Sequence, residues 1–346
     1  MLPLVSERRV IVLLAGDIGG TNTRLALYSW DGDARRPIIE RDFRSIDYAG
    51  LEEVVCAFLR AEGLSATAAC FDVAGPVLDG RARLTNLPWV IEEGRLAREL
   101  GIRQVALLND LKAIAYAVPR LDDGELHTIN PGRPTARGAI AIVAPGTGLG
   151  EAFLIWGGTR YIACASEGGH ADFAPSDPVE NEIWGYLQRR YGHVSCERVC
   201  SGSGIPNIYD SLRDLGHGTE SPTFAAQLAV EHDRTPLIMH AGIEGIDPLC
   251  MKTLEIFTTA LGAEAGNLAV RVLATGGVYL AGGIPPRIVP QLSDGRFMQA
   301  FVTKGRLSDL LRDVPVKVVV TNAALLGAAF YGLDQLRQAN SDAKPA

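Results

Sequence analysis

The segment Gly16-Asp17-Ile18-Gly19-Gly20-Thr21-Asn22-Thr23-Arg24 decides the fold. It connects an apolar run typical of a buried strand, Val10–Leu14, to a second strand-like run, Leu25–Tyr28. Its adjacent glycines allow backbone N–H groups to approach a phosphate without interference from a Cβ atom. A plain β-hairpin is the alternative, but it needs neither the aspartate nor the Thr-Asn-Thr run. We therefore predict a phosphate-binding turn, in which Asp17 is a candidate to hold a metal ion through water.

The composition predicts a cytoplasmic, globular protein of two domains. The chain has 346 residues, of which 47% are hydrophobic, and its net charge of −7 leaves no basic excess to neutralise a nucleic acid. No apolar run reaches the roughly eighteen residues of a membrane span, and no cleavage site follows the first apolar run. The six Cys are spaced for neither a disulfide framework nor a zinc site. We expect no nucleic-acid or membrane partner.

The order of the predicted elements indicates an α/β protein with a duplicated architecture. Further strands are predicted at Ile38–Phe43, Ala68–Val73, Val105–Leu108, Ala139–Ala144, Ala152–Trp156, Val278–Ala281 and Val316–Val320, and helices at Leu51–Arg60, Leu111–Val118, Leu249–Leu273 and Ala323–Tyr331. The stretch Leu121–Arg137 is rich in Pro, Gly and Asp and predicts a loop at a domain junction. The pattern of strand, glycine turn and strand then returns about 130 residues after its first occurrence.

Two further glycine segments are candidates for nucleotide binding. Pro145–Glu151 reads PGTGLGE and fails as a dinucleotide fingerprint, because Glu151 stands where the third glycine belongs. The chain also contains no Gly-Lys pair, which excludes a P-loop. Backbone amides, hydroxyls and a metal ion must therefore hold the nucleotide. Leu280–Ile284 reads LAGGI and permits a flat group such as adenine to lie against the backbone, although a plain strand-to-helix turn explains it equally well.

Asn109 and Asp110 lie where a predicted strand ends and a predicted helix begins. Ligands of open α/β sheets bind at such carboxyl ends, and Asp110 is a candidate to accept a proton from a hydroxyl nucleophile. Helix capping is the alternative reading of these two residues, since Asn and Asp are both favoured caps. Capping explains one of the two residues, not both.

A second polar group lies in Ser166-Glu167-Gly168-Gly169-His170. Two adjacent glycines argue against a helix, so we predict a loop that presents Glu167 and His170 to sugar hydroxyls. A structural histidine is the alternative for His170. Glu197 would add another acceptor, although alone it looks like a surface charge. Asn86 is interpreted as a turn residue, with a contact to the ligand as the alternative.

Together these segments resemble the bacterial glucokinase family. The resemblance runs from Asp17 to Gly327 and is carried by DIGGTNTR, AGPV, LTNLPW, LLNDLKA, PGTGLG, SEGGHADFAP, HVSCERVCSG, LAGGI and LLGAA in family order. It implies an actin-like (ribonuclease H-like) ATPase fold of two α/β domains with the active site in an interdomain cleft. The implied small domain is residues 1–110 plus 322–346, and the large domain is residues 111–321. Ser203-Gly204 departs from the Pro-Gly turn of some members.

The resemblance also implies the reaction and the role of each site residue. The reaction is the phosphorylation of D-glucose at its 6-hydroxyl by ATP with Mg²⁺, which gives glucose 6-phosphate and ADP in the first step of glycolysis. Asp110 would be the base, and Asn109, Asp110, Glu167, His170 and Glu197 would bind glucose. The nucleotide would be bound by Asp17, Gly19, Gly20, Thr21, Asn22, Gly146, Thr147 and Gly148, with Gly282 and Gly283 bordering the adenosine. A homodimer is the family expectation.

Two alternatives to a glucose kinase stay open. A kinase for mannose, an amino sugar or another hexose would have a similar sequence. Such enzymes distinguish the orientation of a sugar hydroxyl by small differences in the positions of the protein groups that bind it. A non-catalytic sugar-sensing regulator would usually carry a DNA-binding module, which this acidic sequence does not indicate. The presence of Asp110 also favours an enzyme.

Overall fold

The structure, a computed structural model, describes residues 12–84 and 87–342. The predictions made for Val10 and for Asn86 lie outside the described residues. Contacts divide the described chain into two units. The first contains the residues up to Arg120 and those from Asn322 onward, and the second is Leu121–Thr321.

The elements alternate along the chain as an α/β protein requires. The strands are β1 (Val12–Ile18), β2 (Asn22–Ser29), β3 (Ile39–Arg44), β4 (Ala68–Val73), β5 (Val77–Leu78), β6 (Arg81–Arg83), β7 (Val90–Glu92), β8 (Gln104–Asn109), β9 (Leu126–Asn130), β10 (Ile140–Pro145), β11 (Leu149–Trp156), β12 (Tyr161–Ser166), β13 (Gly277–Leu280) and β14 (Val316–Val319). The helices are α1 (Leu51–Glu62), α2 (Glu93–Leu100), α3 (Asp110–Ala117), α4 (Pro178–Tyr191), α5 (Gly204–Asp214), α6 (Pro222–Val230), α7 (Thr235–Ile243), α8 (Pro248–Val272), α9 (Val289–Ser293), α10 (Arg296–Val302), α11 (Ser308–Arg312) and α12 (Ala323–Asp342).

The first unit is built on a five-stranded sheet of order β3-β2-β1-β4-β8. β1, β2 and β3 are antiparallel neighbours, whereas β4 and β8 run parallel to β1. Side chains that alternate along a strand face opposite sides, so Leu14 and Phe71 share a core with Phe58 of α1. Leu13 lies on the other face, where Gly332 of α12 approaches so closely that a Cβ there would lie 2.6 Å from Leu13 Cδ1. A second, three-stranded sheet has the order β5-β6-β7.

The second unit repeats this strand order. Its sheet runs β12-β11-β10-β13-β14-β9, in which β10, β11 and β12 are antiparallel neighbours and β13 and β14 are parallel to β10. The first five positions correspond to β3-β2-β1-β4-β8 of the first unit. The helix α8 is largely buried beside this sheet, with its Phe257 and Leu261 fully inaccessible. The duplicated architecture predicted from the two glycine turns is therefore confirmed.

The prediction of a loop over 121–137 is wrong in part. β9 lies inside this stretch and pairs antiparallel with β14 at the edge of the second sheet. Its sequence LHTIN is only partly buried, so no apolar run marks it. The strand exists because β14 supplies main-chain partners, which local composition does not reveal.

The division of the described chain also differs from the expected one by ten residues. The segment 111–120 belongs to the first unit rather than to the second. The reason is that α3 packs along α12, where Gly327 lies directly against the backbone of Ala113. Only a glycine permits so close an approach of two helices. The chain therefore enters the second unit after α3 and not before it.

Candidate functional site

The turn between β1 and β2 is both a hairpin and a braced loop. The strands pair up to Ile18 and Thr23, and the Gly19 N–H donates to the Asn22 carbonyl at 3.0 Å. Ser45 Oγ donates to the Gly19 carbonyl at 2.8 Å and lies 3.0 Å from the buried Thr23 Oγ1. Asn22 and Thr21 are exposed. The turn therefore has a fixed backbone and leaves polar side chains accessible to a ligand.

Asp17 occupies the penultimate position of β1, directly before this turn. Its Oδ2 accepts a hydrogen bond from Asn322 Nδ2 at 2.8 Å. Asn322 is itself held, because its Oδ1 accepts from the Leu325 N–H at 3.2 Å at the start of α12. Burial raises the pKa of Asp17, and the Asn322 hydrogen bond and the Arg24 charge oppose that rise only in part. A cation near Asp17 would stabilise its ionised form, so the residue fits the expected metal position.

Asp72 is an acid close to Asp17 and Asp110 that the motifs did not reveal. It lies opposite Asp17 in the β1–β4 register and is fully buried. Neither of its oxygens has a hydrogen-bond partner of ordinary geometry among the residues that the structure describes. Burial raises its pKa well above the usual range, and the nearby charges of Asp17 and Asp110 raise it further. The available signal was an acid inside the otherwise apolar strand AACFDV.

Asn109 and Asp110 meet at the junction of β8 and α3, as predicted. Asn109 Oδ1 accepts from the Lys112 N–H at 3.3 Å and so caps the helix. Asn109 Nδ2 donates to the Gly75 carbonyl at 3.0 Å and to Asp110 Oδ1 at 2.8 Å. Burial raises the pKa of Asp110 to about 6 against the hydrogen bond from Leu111, and the Asp17 charge adds to the rise. Capping thus accounts for Asn109. Asp110 remains as a carboxyl group whose raised pKa is suited to a general base.

In the second unit, the turn between β10 and β11 is tied to the segment that precedes α5. The Gly146 N–H donates to the Gly148 carbonyl at 2.9 Å, and the Gly202 N–H donates to the Gly146 carbonyl at 2.7 Å. The Ser203 N–H donates to the Thr147 carbonyl at 3.2 Å. Two layers of backbone are therefore hydrogen-bonded at this turn, which fixes the direction of its amides.

Glu197 lies beside this same turn. Its Oε2 accepts from the Leu149 N–H at 3.0 Å. A Cβ added at Gly148 would lie 2.5 Å from that oxygen, so the glycine provides the space that the carboxylate occupies. The reading of Glu197 as an isolated surface charge is wrong. The structure brings a candidate sugar ligand and a candidate phosphate turn into direct contact.

The LAGGI segment follows β13 and meets the end of β10. Gly282 has φ +81°, and a Cβ on it would lie 2.6 Å from the Pro145 carbonyl oxygen. The Ile284 N–H donates to that same carbonyl at 3.3 Å. A Cβ on Gly283 would have no atom within 4 Å. Gly282 is thus required by the fold, whereas Gly283 faces open space.

Glu167 precedes a short 3₁₀ turn after β12, Gly168–His170, and His170 is the last residue of that turn. Their side chains are 90% and 64% exposed, and His170 Nε2 lies 3.9 Å from Glu167 Oε2. The exposed imidazole excludes a buried structural role for His170. The Cys196 N–H donates to the Ala171 carbonyl at 2.9 Å and links this turn to the one that carries Glu197. The three candidate sugar ligands of the second unit therefore lie on connected backbone segments.

Comparison with known proteins identifies the family. A sequence profile described as Glucokinase matches residues 14–335. A glucokinase of Synechocystis is 41% identical over 91% of this chain and 96% of its own. A glucokinase of Caulobacter sp. is 39% identical over 91% and 93%.

Solved structures agree with this result. The crystal structure of a glucokinase from an Antarctic psychrotroph superposes with a TM-score of 0.79 at 32% identity, covering 93% of this chain and 99% of that one. The glucokinase of Balamuthia mandrillaris, solved in complex with glucose, has the same fold with a TM-score of 0.78 at 20% identity, covering 95% of each chain. The actin-like α/β fold is thereby confirmed, and the chain belongs to the glucokinase family.

Proposed function

We propose that this protein transfers the γ-phosphoryl group of ATP to the 6-hydroxyl of D-glucose, giving glucose 6-phosphate and ADP. The observation that carries the proposal is the setting of Asp110. It is a carboxylate at the carboxyl end of β8, its pKa is raised to about 6, and it is oriented by Asn109 and the Leu111 N–H. Family membership supplies the reaction type to which this base is suited.

Asp110 accepts the proton of the 6-hydroxyl as the sugar oxygen bonds to the γ-phosphorus and the bond to the ADP oxygen breaks. A pKa of about 6 leaves Asp110 ionised at neutral pH, yet makes it a stronger base than an ordinary carboxylate. Asn109 donates to Asp110 Oδ1, which fixes the direction of the carboxylate before the sugar binds. The base therefore needs no reorganisation when the hydroxyl arrives.

The other hydroxyls of the sugar are bound by Glu167, His170 and Glu197. Glu167 and His170 present exposed side chains, and Glu197 Oε1 is left for a ligand while Oε2 accepts from Leu149. Carboxylates accept from sugar hydroxyls, and a neutral imidazole both donates and accepts. A ROK-family glucokinase of Streptomyces griseus, which has the same fold with a TM-score of 0.62 at 19% identity, was solved with glucose and AMPPNP.

The nucleotide is bound by backbone rather than by a lysine. The turns at Gly19–Asn22 and Gly146–Gly148 have backbones fixed by the internal hydrogen bonds of Gly19 and Gly146, and the other N–H groups of these turns would bind phosphate oxygens. Gly283 borders the adenosine, because it leaves open space where a side chain would stand. Asp17 would hold Mg²⁺ through water, and the ion would neutralise charge on the transferring phosphoryl group.

A coupled assay of the purified protein tests this proposal. ATP and Mg²⁺ are supplied with glucose, mannose or glucosamine, and ADP release is measured for each sugar beside the Asp110→Asn variant. We expect the highest kcat/KM with glucose and a large loss in the variant. A preference for mannose or glucosamine would reassign the substrate. Glucose binding without ADP release would indicate a sugar sensor instead of a kinase.

We also propose that the protein works in the cytoplasm as a homodimer, without a nucleic-acid or membrane partner. The net charge of −7 disfavours polyanions. Among the described residues, no helix has the length and apolar character needed to cross a bilayer. Light scattering at several protein concentrations tests the dimer, and a mass of one chain at all of them would contradict it.

A further inference from the structure

Two buried carboxyl groups face each other inside the second unit. Glu151 of β11 and Glu264 of α8 are 2% and 3% exposed. Glu264 accepts from Arg271 Nη1 at 2.9 Å, from Asn267 Nδ2 at 3.0 Å and from Cys196 Sγ at 3.2 Å. Neither oxygen of Glu151 has a hydrogen-bond partner of ordinary geometry in the described part of the chain. Glu264 therefore has hydrogen-bond partners for both of its oxygens, whereas Glu151 has none of ordinary geometry among the described residues.

Of the two acids, only Glu264 has an ion-pair partner among the described residues. Arg271 pairs with Glu264 and is half exposed, and Lys304, whose pKa burial lowers, also interacts with Glu264. The thiol of Cys196 has its pKa raised by burial and by Glu264, so it stays neutral. Of the remaining neighbours, Cys200 is another buried thiol of raised pKa, β10 contributes the apolar Val143, and β12 contributes the neutral Ser166. Burial and the Glu264 charge raise the pKa of Glu151 to about 8.

The pair lies against both segments that carry the candidate sugar ligands. Glu151 opposes Ser166 in the β11–β12 register, and Ser166 Oγ accepts from the Gly168 N–H at 3.0 Å. Glu151 Oε2 fills the space that a side chain at position 168 would occupy, directly under the turn between Glu167 and His170.

On the other side, Glu264 holds Cys196, the residue before Glu197. Cys196 is in turn hydrogen-bonded through its N–H to Ala171, at the end of the His170 turn. A displacement of either carboxyl group therefore reaches the backbone of a sugar-binding segment.

We propose that Glu151 and Glu264 together carry one proton, which stays on Glu151, and that this singly charged pair positions the Glu167–His170 turn and the Cys196–Arg198 turn for sugar binding. The proposal rests on the proposed function, because it assigns the purpose of the pair to the sugar site. Loss of the Glu151 proton leaves two buried anions, of which only Glu264 has an arginine partner in the part of the chain that the structure describes. Since Glu151 Oε2 already touches Gly168, the repelled carboxylate displaces that turn, and the affinity for the sugar falls.

Direct binding measurements across pH test this inference. The Kd of glucose is measured by calorimetry between pH 6.5 and pH 9 for the full chain and for Glu151→Gln, whose amide mimics the neutral acid but does not titrate. We expect the wild-type Kd to rise about three- to tenfold over this range, since one proton limits the change to about tenfold per pH unit. The variant is expected to keep its pH 6.5 affinity throughout.

The matched control is Glu180→Gln. Glu180 is also buried in the second unit and also has a raised pKa, but it is bonded to Ser176 rather than to a sugar-binding segment. This variant is expected to follow the wild-type pH dependence. A flat response in Glu180→Gln as well would show that any removal of a buried acid gives the effect, and would overturn the assignment to Glu151.

Hydrogen exchange separates this inference from the proposed function. Amide exchange at residues 167–171 and 196–199 is followed without sugar, after correction for the intrinsic pH dependence. We expect protection to fall above pH 8 in the wild type and not in Glu151→Gln. Protection that is equal in both proteins at every pH would refute the positioning role. Absence of glucose binding at every pH would refute the proposed function, while the exchange data would still decide the role of the pair.

Discussion

Asn109 Nδ2 lies 2.8 Å from Asp110 Oδ1, so the side chain that caps α3 also holds the carboxylate that begins it. A single β8–α3 junction thereby fixes both the helix start and the orientation of the base. The arrangement has a consequence for mutagenesis. Replacement of Asn109 by alanine removes both the cap and the hydrogen bond to Asp110, whereas Asp110 can be replaced by its amide with little change of shape.

We predict that Asp110→Asn folds normally, binds glucose and loses turnover by about 10²–10⁴-fold, because a positioned general base contributes that much to the rate. Single-turnover kinetics and glucose binding by calorimetry measure the two effects separately. Asp47→Asn, an exposed acid of the same unit, serves as the control and should retain full activity. A kcat near that of the wild type would remove Asp110 from the role of base.

The raised pKa of Asp110 predicts the acidic side of the pH–rate profile. The carboxyl group must be ionised to accept a proton, so kcat/KM should fall about tenfold per pH unit below pH 6. An ordinary aspartate would sustain activity to about pH 4. The residual activity of Asp110→Asn should lack this decline, which separates titration of the base from acid unfolding. A wild-type rate that stays constant down to pH 5 would contradict the assignment.

Asp72 predicts that the stability of the protein declines as the pH rises, whereas the activity that depends on Asp110 increases. Its pKa is raised in the folded state, so its contribution is most favourable below the ordinary value of 3.8 and declines as the pH rises toward the folded value. Asp72→Asn does not titrate. We expect the free energy of unfolding of this variant, relative to wild type, to increase by at least about 1 kcal/mol between pH 4 and pH 8 in urea denaturation. A difference that is independent of pH would show that Asp72 is not perturbed.

Some site residues could be predicted from the sequence because they belong to a local pattern, whereas others depend on contacts between distant segments. Asn109 and Asp110 were predictable, because a strand end followed by a polar pair is a local pattern with a known geometric outcome. Asp72 was not, since its meaning depends on the β1–β4 register that places it beside Asp17. In the sequence, Glu151 served only to exclude a dinucleotide-binding motif, because it stands where the third glycine belongs.

Non-local pairing explains these omissions. The partner of Glu151 lies on α8, and the packing of that helix against β10, the neighbour of β11, brings the two acids together. β9 is a similar case at the level of secondary structure, because β14 and not its own composition makes it a strand. Local patterns therefore predicted most elements and the turns, whereas contacts between distant segments had to be observed.

Gly282 and Gly283 provide a matched pair of adjacent substitutions. Gly282→Ala forces a side chain into a positive-φ conformation and against the Pro145 carbonyl, so it should destabilise the protein by about 1–3 kcal/mol. Gly283→Ala meets no atom within 4 Å and should leave the Tm unchanged. If Gly283 borders the adenosine, its methyl group should still raise the KM for ATP severalfold. Unchanged ATP kinetics in Gly283→Ala would place the adenosine elsewhere.

The exposed turn after β12 predicts a selective loss of sugar affinity. Glu167 and His170 are 90% and 64% exposed without a ligand, so Glu167→Gln and His170→Ala should leave the fold intact. Loss of a hydrogen-bond partner leaves a bound sugar hydroxyl unpaired, which costs about 1–3 kcal/mol. The KM for glucose should therefore rise roughly tenfold, while the KM for ATP stays within about twofold.

The control for this prediction is Glu182→Gln, which removes a surface carboxylate of the same unit that pairs with His217 at 2.6 Å. It tests whether any loss of negative charge from this unit weakens the binding of a neutral sugar, and it should leave both KM values unchanged. The ratio of the two KM changes is the decisive quantity, because partial unfolding lowers the concentration of active enzyme without altering either KM. A selective rise in the KM for ATP would move the Glu167–His170 turn from the sugar site to the nucleotide site.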